Sequence, residues 1–461
     1  MAELSTIKDS NKSDGSKGRQ WIYPKLIKGK LYRYRNVFSW FLLALLFAGP
    51  FLKINGEQLI LLNVLERKFV FFGVVFWPQD FYLFVVATLI FLVFIVLFTA
   101  VFGRIWCGWA CPQTIFMEMV FRKVEYLIEG DAQKQRKLDA APLSAEKVFK
   151  KGLKHLIFLG ISFLIANTFL AYIISTEQLI TIIRQPVSQH LTGFIAISIF
   201  TLMFYGVFAY LREIVCTVIC PYGRLQGVLL DNQSMIVGYD YQRGEPRAKV
   251  KKGEEHLHGD CVDCNLCVQV CPTGIDIRQG TQMECINCTA CIDACDMVMT
   301  KLNRPERLIG FKSEEEITTG KPFKFNRRIY AYSAILLVMI TALAILLFRR
   351  TVVETTLLRA GGTLYQLRED GTVSNLYNAE IINKTNHSIN IRIQPSDPQA
   401  TIQYIQKVKT LEKGSSTKLT FFVIRPQKGI EKYKSDIDLQ VFSGDEVIEE
   451  VETTFIAPPN F

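Results

Sequence analysis

CVDCNLCVQVCPTGIDIRQGTQMECINCTACIDAC, residues 261 to 295, carries eight of the chain's twelve cysteines in two runs of Cys-x2-Cys-x2-Cys-x3-Cys, with 13 residues between the runs. That spacing lets three thiolates of one run hold three corners of a 4Fe-4S cube while the fourth ligand comes from the other run. It assigns Cys261, Cys264, Cys267 and Cys295 to one cluster, and Cys285, Cys288, Cys291 and Cys271 to a second. A zinc ribbon pairs Cys-x2-Cys dyads and has no use for a third cysteine in each run. The second run closes as Cys295-Asp296 and the first as Cys271-Pro272, a difference that removes no ligand but leaves the second turn open.

Outward from these runs the chain reads as a multi-pass membrane protein. It has 461 residues, 49% of them apolar. Five stretches, 37–53, 81–102, 156–174, 191–211 and 329–348, approach or reach the ~20 apolar residues that cross ~30 Å of hydrocarbon as a helix. Pro50 interrupts the first. Residues 1–36 are polar and basic without a cleavage site, so 37–53 reads as an uncleaved anchor. Lys and Arg crowd residues 8–35, 122–154 and 212–328, while 54–80 and 175–190 carry few. The positive-inside rule therefore places the N-terminus and the cysteine runs in the cytoplasm, and five crossings put the tail on the periplasmic side. Arg349 and Arg350, at the outer end of the last span, run against that rule. The net charge of +10 reports cytoplasmic loops meeting anionic lipid, and no nucleic-acid motif accompanies it. All twelve cysteines border the cytoplasm in this topology, where thiols stay reduced and ligate metals in preference to pairing as disulfides.

The expected organisation is a basic N-terminal segment, 1–36; four transmembrane helices over 37–211; a cytoplasmic dicluster ferredoxin-like α+β module, 212–328; a fifth transmembrane helix, 329–348; and a periplasmic domain, 349–461. In the tail, short β-rich runs separated by Asn, Gly, Pro and Ser give about seven strands, the pattern of an immunoglobulin-like sandwich. After the second span, Ile115, Phe116, Met119, Val120, Val124, Leu127 and Ile128 recur at helical spacing opposite Glu118, Arg122, Lys123, Glu125 and Glu129, predicting an interfacial amphipathic helix.

The remaining four cysteines form two matching motifs, each just past a span: IWCGWACPQ at 105–113 and CTVICPYG at 216–223. Each reads Cys-x3-Cys-Pro. Cysteines at i and i+4 share a helix face, and proline favours the first position of a new helix, so Cys111 and Cys220 are candidate N-caps. A thiol there feels the positive end of the helix dipole, which favours thiolate. Both dyads emerge at the same membrane face, so Cys107, Cys111, Cys216 and Cys220 could converge as a soft-metal site selecting Cu(I), zinc or iron-sulfur. Met117, Met119 and Glu118 could add ligands, although methionine on such a helix usually packs. Trp106 and Trp109 read as interfacial anchors.

WCGWACPQT at 106–114, CTVICPYGRLQ at 216–226, the double ferredoxin run and the β-rich tail together resemble the CcoG/FixG/RdxA family, accessory proteins in assembly of the cbb-type haem-copper cytochrome oxidase. The resemblance implies a cupric reductase of the bacterial inner membrane, with two 4Fe-4S clusters on the eight cysteines of 261–295 and copper handled as substrate or ligand by Cys107, Cys111, Cys216 and Cys220. It also implies oxidase assembly factors and copper transport or chaperone proteins as partners, with an unnamed electron donor and a homodimer left open. Membrane polyferredoxins of the NapH and NosR type share a looser version of the pattern, so a quinol-linked electron-transfer subunit and a non-catalytic assembly scaffold are the competing readings. His155 and His190 fall at opposite membrane faces and offer no haem ligand pair, and no GxGxxG fingerprint marks a nicotinamide or flavin domain.

Overall fold

The computed structural model describes residues 21–458 except 66, 250–257, 322–323, 352, 363, 386, 406–409, 429, 431 and 445; most of the expected N-terminal segment, 1–20, lies outside the described residues. The chain divides into two compact units. One comprises residues up to 45, 93–167 and 191–333; the other comprises 46–92, 168–190 and 334–461.

Among the described residues, four helices are long and apolar enough to cross a membrane: Pro78–Phe102, Ala145–Ile174, Val187–Leu211 and Arg327–Phe348. They correspond to four of the five expected spans. The fifth, Lys30–Ala48, is a 19-residue helix whose first two turns carry Lys30, Arg33 and Arg35, so its apolar run is shorter than the others. Pro50 does not break it but falls in the 3-10 turn Gly49–Phe51 that follows. The third span begins at Ala145, eleven residues before the expected 156, and another helix, Ala132–Ala140, precedes it.

In the first unit, the cysteine runs fold with the helices Leu266–Gln269 and Ala290–Lys301, closed by an antiparallel pair of strands, Ile236–Tyr239 and Ile309–Lys312. Val237, Tyr239, Ile277, Ile292, Met299, Leu308 and Ile309 form its core. Asp293, between two of the cysteines, accepts the Leu31 and Tyr32 backbone amides at 3.1 and 2.7 Å, so the cluster module caps the helix Lys30–Ala48.

The helix after the first dyad differs from the expected amphipathic one. It runs from Pro112 to Ile128 through a π turn at Phe116–Phe121. Phe116, Met117, Met119 and Phe121 are buried, but so are Arg122, Glu125 and Glu129, while Leu127, expected on the apolar face, is 85% exposed. An extra residue in the π turn rotates everything beyond it relative to a 3.6-residue projection. The polar residues so turned inward are paired. Arg122 meets Glu118 and, at 3.6 Å, Glu213; Arg212 meets Glu125 at 2.5 Å; and Lys154 meets Glu129 at 2.9 Å. Met117 and Met119 are packing residues, and Glu118 is an ion-pair partner.

In the second unit, residues 353–456 form nine strands among the described residues, two of them only two residues long. One sheet orders Thr401–Tyr404, Ser416–Pro426, Thr372–Asn383 and Val353–Arg359, with Gln366–Leu367 beside the third; the other orders Thr410–Leu411, Ile389–Pro395, Lys434–Ser443 and Glu446–Ile456. Val373, Tyr377, Phe421, Leu439 and Phe455 pack between the sheets, and Tyr377 Oη donates across to Thr454 O at 2.8 Å. Arg350 pairs with the buried Asp80 at 2.7 Å, and Asp80 also accepts Lys384 Nζ at 2.6 Å. Of the two arginines that run against the charge rule, Arg350 is thus paired with a carboxylate.

Candidate functional site

Each cysteine run wraps a loop in which two residues adopt left-handed backbone: Asp263 and Asn265 in the first, Asn287 and Thr289 in the second. A β-branched threonine at φ 66° is strained, and its persistence shows that packing dictates the loop. The runs then diverge. The first ends its short helix before Pro272, whereas the second continues as the helix Ala290–Lys301, in which Asp296 accepts the Arg307 backbone amide at 2.7 Å. Asp296 can therefore stand where the first run has proline.

The thiols gather around two apolar cavities. Cys267, Cys271, Cys285, Cys288 and Cys291 line one; Cys261, Cys264, Cys267 and Cys295 line the other. Cys267 lines both, so the linings overlap the two crossed sets that the spacing assigns without separating them. Burial pushes Cys267, Cys285 and Cys295 up to about 12 and Cys288 to about 11, and neighbouring thiols add to the effect at Cys267, Cys285 and Cys295. Burial favours the neutral thiols here, and a cube, which takes thiolates, would release their protons on loading.

The two Cys-x3-Cys-Pro turns close alike, although the first lies on an α-helical turn, Ile105–Trp109, and the second on a π turn, Val215–Ile219. The helix Phe81–Phe102 ends at Gly103, whose φ of +58° reverses the chain, and a Cβ there would meet Met235 O at 2.5 Å. Cys111 N then bonds back five residues to Trp106 O at 2.9 Å, and Cys220 N does the same to Val215 O at 2.7 Å. Both cysteines adopt extended backbone, with ψ of 124° and 111°, and cap the helices beginning at Pro112 and Pro221. The expected cap positions are present, but at Cys111 the expected thiolate is not favoured. Burial pushes the Cys111 thiol up, against the pull of the Thr114 and Gln113 amides. Burial likewise raises Cys107 to about 11 and Cys216 to about 12, helped by the charges of the other dyad thiols. Desolvation outweighs the helix dipole here. Cys216 packs against the buried cluster that holds Cys107, so one thiol of each dyad meets there. Among the described residues, no group of three or more His, Cys, Asp or Glu side chains is arranged to hold a metal ion.

Cys107 packs with Ile286 and Cys288 in one buried cluster, with Cys216 and Tyr222 against it. Gly108 permits this approach, since a Cβ there would lie 2.4 Å from Ile286 O. Three residues to which sequence reasoning assigned no role complete the surroundings. Cys107 Sγ donates to Gln226 Oε1 at 2.9 Å, and Gln226 Nε2 donates to Tyr222 Oη at 2.8 Å and to Thr99 Oγ1 at 3.2 Å. Gln226, one helical turn beyond Tyr222 on the helix opened by the second dyad, carried no signal of its own.

Eight thiols around two cavities, on a chain with several membrane-length helices, define a membrane iron-sulfur protein built for electron transfer. Comparisons with known proteins agree. Residues 211–314 match the family "4Fe-4S dicluster domain", 84–129 match "4Fe-4S binding domain", and 343–458 match "IG-like fold at C-terminal of FixG, putative oxidoreductase". Protein RdxB of Cereibacter sphaeroides is 33% identical over 399 residues, 82% of each chain, and protein RdxA of the same organism is 34% identical over 394 residues, 81% of each. Nitrogen fixation protein FixG of Rhizobium meliloti is 36% identical over 306 residues, 64% of this chain and 57% of FixG. The chain belongs to the CcoG/FixG/RdxA family.

Proposed function

We propose that this protein is a membrane-bound cupric reductase that delivers single electrons to Cu(II) during assembly of a cbb-type cytochrome oxidase. The observation that carries the reading is the packing of Cys107 against Ile286 and Cys288, which brings the dyads beside a cluster run. Cys261, Cys264, Cys267 and Cys295 would hold one 4Fe-4S cluster, and Cys271, Cys285, Cys288 and Cys291 the other. When bound, the clusters supply one-electron transfer without bond rearrangement. Cys107, Cys111, Cys216 and Cys220 would receive copper as substrate. Each Cu(II) takes up one electron to become Cu(I), the ion that thiolate sulfur prefers, and the electron comes from a protein donor. Gln226 orients Cys107, and the apolar surroundings limit water.

Five spans, with the cysteines cytoplasmic and residues 349–461 periplasmic in a bacterial inner membrane, fit this role. The chain changes unit five times, after residues 45, 92, 167, 190 and 333, each within or beside one of the five apolar helices. Oxidase assembly factors and copper transport or chaperone proteins are the proposed partners, with a homodimer open to test and no nucleic acid expected.

Reduction of Cu(II) by the dithionite-reduced, full-length protein in detergent tests the reading. Cys111→Ala and Cys220→Ala should abolish it while iron content stays unchanged. Activity retained in both variants would refute copper handling at the dyads. A second reading is favoured by one observation: the match to "4Fe-4S binding domain" over 84–129 covers just two cysteines, Cys107 and Cys111. The two dyads would then jointly hold a third cluster. Iron analysis separates the two, with about eight atoms per chain for two cubes and about twelve for three.

A further inference from the structure

Arg104 stands between the two sets of thiols. It is 3% exposed, and its Nε has no hydrogen-bond partner among the described residues. Arg122 and Arg212, buried as deeply, each pair with carboxylates. Arg104 meets no carboxylate within ion-pair distance among the described residues. Its Nη1 donates instead to Met283 O, two residues before Cys285. Its Nη2 lies over the second dyad's turn, where a Cβ on Gly223 would come within 2.9 Å of it and within 3.0 Å of Cys216 O. It lines a small cavity with Cys285, Asn287 and Ile277. Its positive charge favours the thiolate at both Cys107 and Cys285.

A buried guanidinium without an anionic partner is costly, and a thiolate or a cluster that gains an electron would supply the missing negative charge. We propose that Arg104 is a positioning residue shared by the Cys107 dyad and the Cys285 cluster run, raising the reduction potential of the cluster on that run. The inference rests on the reading of Cys271, Cys285, Cys288 and Cys291 as ligands of a cluster. One electron enters and no proton moves, so the fixed charge favours the reduced state directly, and the cluster on Cys261, Cys264, Cys267 and Cys295, away from Arg104, should feel it less.

The experiment is an anaerobic redox titration of the full-length protein, followed by electron paramagnetic resonance, on wild type, Arg104→Gln and Arg104→Lys. In Arg104→Gln one cluster should become harder to reduce by about tenfold in its reduced-to-oxidised ratio, ~59 mV for a one-electron couple. The other cluster should stay in place, and Arg104→Lys should recover most of the shift. Unmoved potentials in Arg104→Gln with iron retained would overturn the proposal while leaving the cluster reading intact. If Arg104→Gln loses iron, Arg104→Lys decides: wild-type potentials support the proposal, and loss of iron there too assigns Arg104 a purely structural role. Absence of iron from the wild-type protein would instead sink the cluster reading itself.

Discussion

Gly108 shows how much of the site depends on a single missing methyl group. Its Cα faces the backbone of Ile286 and Asn287, with both carbonyl oxygens inside 3 Å of where a Cβ would stand. Gly108→Ala should therefore push the first dyad off the cluster run. We expect a loss of about 1–3 kcal/mol in thermal unfolding, as for other overpacked interiors, and slower copper reduction at unchanged iron content. Unchanged unfolding and rate would mean that turn and run separate freely. At this scale the two cysteine runs of a 4Fe-4S dicluster domain were legible, because ligand spacing is a local property of the chain. The needs of Gly108, Arg104 and Gln226 were not, because each is set by a segment 100 or more residues away, across contacts that no periodicity encodes. The protonation of Cys111 was misread for a related reason. The cap is visible in Cys-Pro, but the burial that raises the thiol depends on the assembled fold.

Among the elements, the π turns explain where sequence periodicity failed. A helical projection assumes 3.6 residues per turn, and the inserted residue in Phe116–Phe121 carries Arg122, Glu125 and Glu129 to the buried side. The inward arginine then serves the site, since Arg122 Nη2 donates to Pro272 O at 3.3 Å, beside Cys271. Arg122→Ala would remove the buried cation that Glu118 and Glu213 share, and breaking a buried pair in this way costs about 3–5 kcal/mol. Thermal unfolding of the detergent-solubilised protein should show that loss, together with lability of the cluster that includes Cys271. A stability change within 0.5 kcal/mol, the range of ordinary surface substitutions, would contradict the network. The spans and strands were legible in the sequence because long apolar runs and alternating β-branched runs carry their own signal. Seven of the nine tail strands exceed two residues, the number the pattern suggested.

For the molecule as a whole, composition and charge read the class well, and the exceptions have particular causes. Lys30–Ala48 falls short of the other apolar helices because its first turns carry the basic residues that mark the N-terminal side. Arg350 departs from the charge asymmetry because it serves Asp80, which Lys384 shares. Asp80→Ala should strip Arg350 of its carboxylate and leave Lys384 paired with Glu354, destabilising this unit by several kcal/mol, on the order of 3–5; unfolding followed by proteolysis of residues 349–461 would measure it, and unchanged protease resistance would speak against the contact. The central claim is that electrons pass from the cluster runs to copper at the dyads. Mixing the pre-reduced, full-length protein with one equivalent of Cu(II), followed by rapid freezing and electron paramagnetic resonance, tests it most directly. The Cu(II) signal should vanish in step with oxidation of one cluster, one electron for each ion, and this should fail in Cys111→Ala. Persistence of the Cu(II) signal beside fully reduced clusters would contradict the account.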